Sequence, residues 1–326
     1  MHFAMKRVIV TGGSGFVGAN LVRRLISDGH EVHLLMRPGF QRWRVEEILQ
    51  QVRVHELDML QYETLEATVR SIRPDWIFHL AAHGAYSWQD DFKQILDTNL
   101  HSTIHLVQAC VGCGFEAFVH AGSSSEYGLK DHAPSETEAV VPNSHYAVAK
   151  AAATLYCQFV ARRDHAPITT LRLYSAYGPY EEARRLVPNL ILKGLQGGYP
   201  PLVSPDTARD YVFVDDVVEG LLAAALSANT MKGEIYNLGS GKQTSLLEMV
   251  ETVRQVLSIN EKPVWGSMTA RAWDTSVWVA NPTKVAQDLN WRAITPLSEG
   301  LLQTAEWFRK LAPAIAELYH RQVFFK

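Results

Sequence analysis

Tyr146 and Lys150 stand four residues apart in the run Tyr146-Ala147-Val148-Ala149-Lys150. On a helix that spacing puts both side chains on one face. A phenol with its ordinary pKa of about 10 is a poor acid or base. An ammonium beside it favours the phenolate. Such a tyrosine can pass a proton to or from a hydroxyl. An exposed helix that merely carries Tyr and Lys would show the same pair. A second group narrows the choice. Ala121-Gly122-Ser123-Ser124-Ser125-Glu126-Tyr127-Gly128 directly follows the strand-like run Ala117-Phe118-Val119-His120. A hydroxyl at the carboxyl end of a strand sits where open α/β sheets bind ligands.

A third group supplies a cofactor site. Gly12-x-x-Gly15-x-x-Gly18 follows the β-branched run Arg7-Val8-Ile9-Val10 and opens a stretch with Phe16, Val17, Leu21, Leu25 and Ile26 at helical spacing. The first glycine permits a tight turn, the second close approach to a pyrophosphate, the third close packing of helix on strand. The helix N-terminus then offers N–H groups and partial positive charge to phosphates. An NAD-binding fold usually places an acidic residue at the end of the second strand to hold the ribose. Here Met36 and Arg37 stand there, and an arginine can hold a 2′-phosphate, which leans the choice toward NADP over NAD. Arg37 stacked on adenine or facing solvent is the plainer reading. Asp58, after the third strand, is placed to meet the adenine edge or to cap the next helix.

These groups need a scaffold that alternates. Strand signals at 31–36, 52–57, 76–80, 117–120 and 168–173 alternate with helical signals at 61–72, 89–110 and from 144 to 161. Alternation of this kind predicts a parallel, doubly wound α/β sheet. Gly, Pro and turn residues crowd 177–205, which reads as the start of a loop-rich lobe. A helix at 214–226 and a strand at 235–238 are expected to rejoin the sheet. The second long helix carries Ala147, Ala151, Leu155 and Phe159 at four-residue spacing, a stripe for burial against the monomer or a partner.

Composition excludes several classes. The 326 residues are 47% hydrophobic, enough for a large core, and carry a net charge of −3 with no basic stripe. A nucleic-acid partner is therefore not expected. The small basic clusters at Arg37, Arg42 and Arg44 and at Arg184-Arg185 suit a phosphate better than a polymer. No apolar run approaches the roughly 18 residues of a membrane span, and no signal peptide is legible, so a soluble, cytoplasmic chain is expected. Cys110-Val111-Gly112-Cys113 has redox or half-zinc-site spacing, but no second ligand pair lies nearby, so a packed helix end is the simpler reading. His101 and His105 likewise find no third ligand. No metal is expected.

Several ordered motifs complete the picture. They are Thr11-Gly12-Gly13-Ser14-Gly15-Phe16-Val17-Gly18, His79-Leu80-Ala81-Ala82, Thr98-Asn99, Ser123 to Gly128, Tyr146 with Lys150, Arg172 with Tyr177-Gly178-Pro179, Arg209-Asp210-Tyr211-Val212 with Val214-Asp215-Asp216-Val217, and Arg271-Ala272-Trp273-Asp274. Together they resemble the extended short-chain dehydrogenase/reductase family, in its sugar-nucleotide epimerase, dehydratase and reductase branch. The resemblance implies a Rossmann-type domain over 1–173 with about 209–240, and a nucleotide-sugar-binding lobe over 174–208 and 241–326. It implies that Ser123 hydrogen-bonds the reacting sugar oxygen, that Tyr146 is the acid/base, and that Lys150 holds the nicotinamide ribose. Cofactor contacts are carried over to Gly12, Gly15, Phe16, Val17, Arg37, Asp58, Met59, Leu80, Ala81, Ala82, Asn99, Tyr146, Lys150 and Tyr174. Arg209 and Arg271 match positions that hold the substrate's diphosphate, a task suited to two guanidinium forks. His83, Ser124, Ser125 and Ser175 are further substrate candidates, with Tyr86, Ser87 and Trp88 as pocket lining and Trp265, Trp273 or Trp278 as a stacking surface or core. Paired helices of this kind form homodimers in the family.

The departures bear on the reaction. Dehydratases of the branch carry acidic residues just after the catalytic Ser/Thr; Ser124 and Ser125 stand there instead. Glu126 is one step further and would point elsewhere if the segment is extended. Two reactions then fit: reduction of a 4-keto-6-deoxy nucleotide sugar by NADPH, and C4 epimerisation with NAD retained. The serine-rich loop and Arg37 lean toward reduction, while Ser175 replaces the Asn usual after the sixth strand. A redox-sensing regulator that only binds NAD(P) is a third reading, countered by the presence of Ser123, Tyr146 and Lys150 together.

Overall fold

A computed structural model describes residues 4–86, 88–269 and 275–324. Its centre is a seven-stranded parallel sheet in the order β10-β6-β5-β4-β1-β2-β3. The strands are β1 (Arg7–Thr11), β2 (Glu31–Met36), β3 (Arg53–Glu56), β4 (Trp76–His79), β5 (Ala117–Ser123), β6 (Ile168–Leu173) and β10 (Ile235–Leu238). Both faces are covered, as a parallel sheet requires. Val8 and Val10 pack with α1 (Phe16–Ser27) and α7 (Val214–Ser227). Ile9, one residue out of phase, packs with α2 (Tyr62–Ile72), α4 (Ser102–Val111) and α5 (His145–Asp164). The strand order reverses between β4 and β2, which both flank β1. A crevice opens there at the carboxyl ends of the strands.

Part of the remaining chain forms a smaller lobe with its own core around Tyr177, Leu190, Phe213, Met249 and Tyr319, while Val285, Leu289 and Trp291 pack into the core of the main sheet. Short strands lie at its base. β7 (Ser175–Tyr177) pairs in parallel with β9 (Tyr211–Phe213), and β8 (Ala208–Arg209) pairs antiparallel with β11 (Thr244–Ser245). Among the described residues no helix is long and apolar enough to cross a membrane.

Two expectations need correction. The helix placed at 89–110 begins later, at α3 (Phe92–Leu96), where Asp91 caps it by accepting from Gln94 N at 3.1 Å. It then widens into a π turn over Asp97–His101 before α4. Ser102 and Thr103 donate to the carbonyls of Thr98 and Asn99, and such back-bonding competes with the regular ladder. The loop-rich stretch at 177–205 contains α6 (Leu186–Gly194), with Pro188 inside its first turn. Proline is tolerated there because the first N–H groups of a helix have no intrahelical partner. The stripe on α5, read as burial against the monomer or a partner, is covered within the monomer only at its start. Ala147 and Ala151 are covered, but Leu155 and Phe159 are 56% and 54% exposed. Four-residue steps drift by about 40° each around a helix of 3.6 residues per turn.

Candidate active site

The phosphate end of the crevice is made by the turn after β1. Gly12 adopts φ +69°, and a Cβ on it would lie 2.6 Å from the Leu80 carbonyl carbon after β4. A Cβ on Gly18 would run into the Gly12 carbonyl. Gly15 precedes α1 in an extended conformation, with no side-chain cap and no acidic residue in the first turn. The N-terminal N–H groups of α1 and its positive pole thus suit an anion. This cradle fits a dinucleotide pyrophosphate. Phe16 and Val17 begin the helix half-buried beside it.

The loop after β4 is fixed from beneath by a hydrogen-bonded chain. Thr103 donates to Asn99 O at 2.7 Å, so it accepts from His79 Nε2 at 2.8 Å. His79 Nδ1 therefore accepts from Thr11 Oγ1 at 2.6 Å, and Thr11 in turn accepts from Ala81 N at 3.2 Å. Burial, reinforced by the charge on Lys150, pushes the His79 pKa down to about 3, so it stays a neutral strut. Asn99 is wholly buried; its amide donates to His83 O at 2.6 Å and Ile95 O at 2.8 Å. It shapes the loop of Leu80, Ala81, Ala82 and His83 rather than turning its amide outward. Thr11 and His79 are legible within their sequence motifs but not as linked, because the chain closes only through Thr103 on α4, 24 residues beyond His79.

At the adenosine end, Met36 is buried and Arg37 exposed. Burial and then the charge of Arg37 lower the pKa of His83. Asp58 is exposed and accepts from Leu60 N at 2.9 Å, so it braces its own turn. Met59 follows, its carbonyl bonded to His105 Nδ1 at 3.0 Å.

The catalytic candidates converge at the ends of β5 and α5. Ser144 caps α5 by accepting from Ala147 N at 3.1 Å, which sets Tyr146 in the first turn and Lys150 one turn on. Burial pushes the Tyr146 phenol up to about 12; a hydrogen bond with Ser123 and the charge of Arg185 pull it down, while Glu126 and Tyr86 push it up. Burial brings Lys150 down to about 8, against the opposing charge of Glu126. Lys150 Nζ donates to Ala121 O at 2.9 Å, so the ammonium is anchored on β5. Ser123 accepts from Ser125 N at 3.2 Å.

The loop that follows is a 3-10 turn over Ser124–Tyr127, not an extended segment. Glu126 nevertheless points away from the sugar side. It is fully buried and paired with Arg172 at 2.8 Å. Ser124 is buried and accepts from Trp278 Nε1 at 3.2 Å.

The residues expected to meet a substrate are basic and aromatic. Arg209 lies 5.2 Å from the Trp278 ring centroid, so that indole touches both Arg209 and the serine loop. Tyr86 and Trp88 stack at 4.8 Å, with Arg185 5.9 Å from the Tyr86 ring and Arg184 5.0 Å from Trp88. Arg185 pairs with Glu181 at 3.5 Å. Burial pushes Glu181 up to about 8, and its Oε2 has no hydrogen-bond partner among the described residues. In sequence Arg185 reads only as half of a small basic cluster, because Glu181 stands in the irregular segment before α6 and no helical pattern links the two. Ser175 begins β7 with its N–H on Asp210 O at 3.0 Å, and Tyr174 is buried beside it with its N–H on Leu238 O at 3.1 Å.

Other candidates fall away from this cleft. His101 bonds Asp97 at 2.9 Å, and no cluster of metal-ligating side chains is found among the described residues. Cys110 is a buried free thiol, raised in pKa by burial, and Cys113 is free and half-buried. Trp265 packs on the core of the lobe. Ser87, Arg271 and Trp273 lie outside the described residues.

The chain matches known proteins over most of its length. The sequence model of the NAD dependent epimerase/dehydratase family matches residues 8–239. UDP-glucose 4-epimerase of Mycolicibacterium smegmatis is 28% identical over 93% of this chain and 98% of its own length. UDP-glucose 4-epimerase of Thermus thermophilus, solved with NAD, superposes with TM-score 0.83 at 28% identity over 94% of this chain and all of that one, 100%. UDP-glucuronic acid 4-epimerase of Bacillus cereus, solved with UDP-glucuronic acid and NAD, gives TM-score 0.83 at 25% identity, covering 94% and 100% of the two chains.

Proposed function

The chain belongs to the NAD dependent epimerase/dehydratase family, and from that premise we propose that it performs hydride chemistry at C4 of a nucleotide-diphosphate sugar without loss of water. One observation carries this reading. Ser123 ends β5 and Tyr146 stands in the first turn of α5, which packs on that strand, while the one carboxylate of the serine loop, Glu126, is turned inward onto Arg172. Elimination of water needs an acid aimed at the sugar, and this loop offers only hydroxyls there.

Each side chain then has a task. Tyr146 takes a proton from, or returns it to, the sugar 4-oxygen. Ser123 hydrogen-bonds the same oxygen and holds it toward Tyr146. Lys150 orients the nicotinamide ribose from its anchor on β5. Gly12, Gly15 and the start of α1 bind the dinucleotide phosphates. When bound, that dinucleotide supplies a reversible acceptor and donor of hydride. Arg209, with Arg271, holds the substrate diphosphate, and Trp278 links Arg209 to the serine loop. Residues 1–173 with about 209–240 carry the cofactor, and 174–208 with 241–326 carry the sugar nucleotide.

C4 epimerisation is the reading that the NAD-bound epimerase relatives favour. Reduction of a 4-keto-6-deoxy sugar by NADPH is favoured by one feature of this chain, Arg37 exposed after β2 where NAD sites carry an acid. Mass analysis of cofactor released from purified protein, followed by product analysis with nucleotide hexoses and 4-keto sugars, separates them. Retained NAD and a C4 epimer establish epimerisation; NADPH consumption with a 4-keto substrate establishes reduction. A dehydrated product, or no turnover of any nucleotide sugar, overturns the proposal. The exposed stripe of Val148, Leu155 and Phe159 on α5 supports a homodimer through that helix.

A further inference from the structure

Glu126 is a buried charge with no contact to the cleft, yet every bond it makes reaches a different part of the catalytic frame. Its Oε1 accepts from Ser123 N at 2.8 Å, at the end of β5, and from Thr154 Oγ1 at 3.0 Å, on α5. Its Oε2 accepts from Arg172 Nε at 2.8 Å, on β6. Arg172 lies opposite Gly122 in the β5–β6 register, and its guanidinium sits 4.4 Å from the Tyr127 ring centroid. The carboxylate lies so close over the strand that a Cβ on Gly122 would stand 2.8 Å from Oε1. Three donors from three elements leave it one orientation.

A buried ion pair is weak evidence for stability, because desolvation offsets attraction. Its value here is geometric. Ser123 and Tyr146 sit on separate elements, β5 and α5, and must face each other to share one oxygen. Small errors in such placement cost rate steeply. We propose that Glu126 is a positioning residue, anchored by Arg172, that joins the Ser123 backbone to α5 through Thr154 and so sets the distance between Ser123 and Tyr146. The charges acting on Tyr146 are those of Glu126 and Arg185, with Tyr86 and the Ser123 hydroxyl also facing it. This inference rests on the C4 reading only for its kinetic arm.

The test is Thr154→Val beside Thr154→Ser in the full chain. Valine keeps the shape and leaves the Glu126–Arg172 pair intact; serine keeps the hydroxyl. Thr154→Val is expected to lose about 10²-fold in kcat with KM and cofactor affinity unchanged. Its crystal structure is expected to show the Ser123 hydroxyl displaced from Tyr146, and Thr154→Ser to restore both. A residue of purely structural role would lower only the melting temperature; wild-type kcat with an undisplaced Ser123 in Thr154→Val overturns the proposal. Should Thr154→Val fail to fold, Glu126→Gln is read the same way: kcat loss at constant KM supports the proposal, and unchanged kcat overturns it. If the wild-type protein turns over no nucleotide sugar, the C4 reading falls while the crystallographic arm still decides this one.

Discussion

Glu126 and Glu181 are both buried near the cleft, and they are held in opposite ways. Glu126, behind the serine loop, accepts from three donors and pairs with Arg172 at 2.8 Å. Glu181, in the substrate lobe, has one looser ion pair with Arg185 at 3.5 Å and an oxygen with no partner among the described residues. Burial pushes the Glu181 pKa up to about 8. The wall behind Ser123 is therefore fixed by its own bonds, while the smaller lobe keeps a carboxyl whose protonation state is adjustable near neutral pH.

The sharpest way to break this contrast is Arg172→Met. It leaves Glu126 as an uncompensated buried charge, and should cost about 3–5 kcal/mol in urea unfolding. A loss below about 1 kcal/mol would show that the loop is not held by this pair.

Much of the frame around that pair was legible in sequence. The glycine turn, the alternation of strands and helices and the Tyr146–Lys150 spacing each leave a local pattern. The ion pair does not, because Glu126 and Arg172 lie 46 residues apart and meet only through the β5–β6 register. Helix α6 was hidden by Pro188, which reads as a breaker although it sits in the first turn. Asn99 matched a cofactor position, but its burial under the loop after β4 depends on a π turn that no periodicity announces.

Glu181→Gln probes the other wall with a smaller effect. Between an ordinary glutamate pKa of about 4.3 and the native value, the folded protein holds a proton that the unfolded chain releases. The stability carried by that proton is complete below the unfolded pKa and is lost as pH rises toward about 8. The glutamine variant should match wild type near pH 4 and melt a few degrees higher near pH 9. An equal difference at both pH values would contradict the raised pKa. The mildest change is Trp278→Phe, which removes one hydrogen bond to Ser124 worth about 1 kcal/mol. It should raise KM severalfold with kcat nearly kept, since Trp278 also contacts Arg209 on the substrate side. A fall in kcat alone would move Trp278 to the catalytic wall.

Tyr146→Phe tests the central claim most directly, with turnover of a nucleotide sugar and cofactor affinity measured on the same preparation. The phenyl ring fills the same space without a transferable proton. Turnover should fall about 10³-fold with the dissociation constant for the dinucleotide nearly unchanged. Undiminished turnover in that variant would contradict acid–base chemistry at Tyr146.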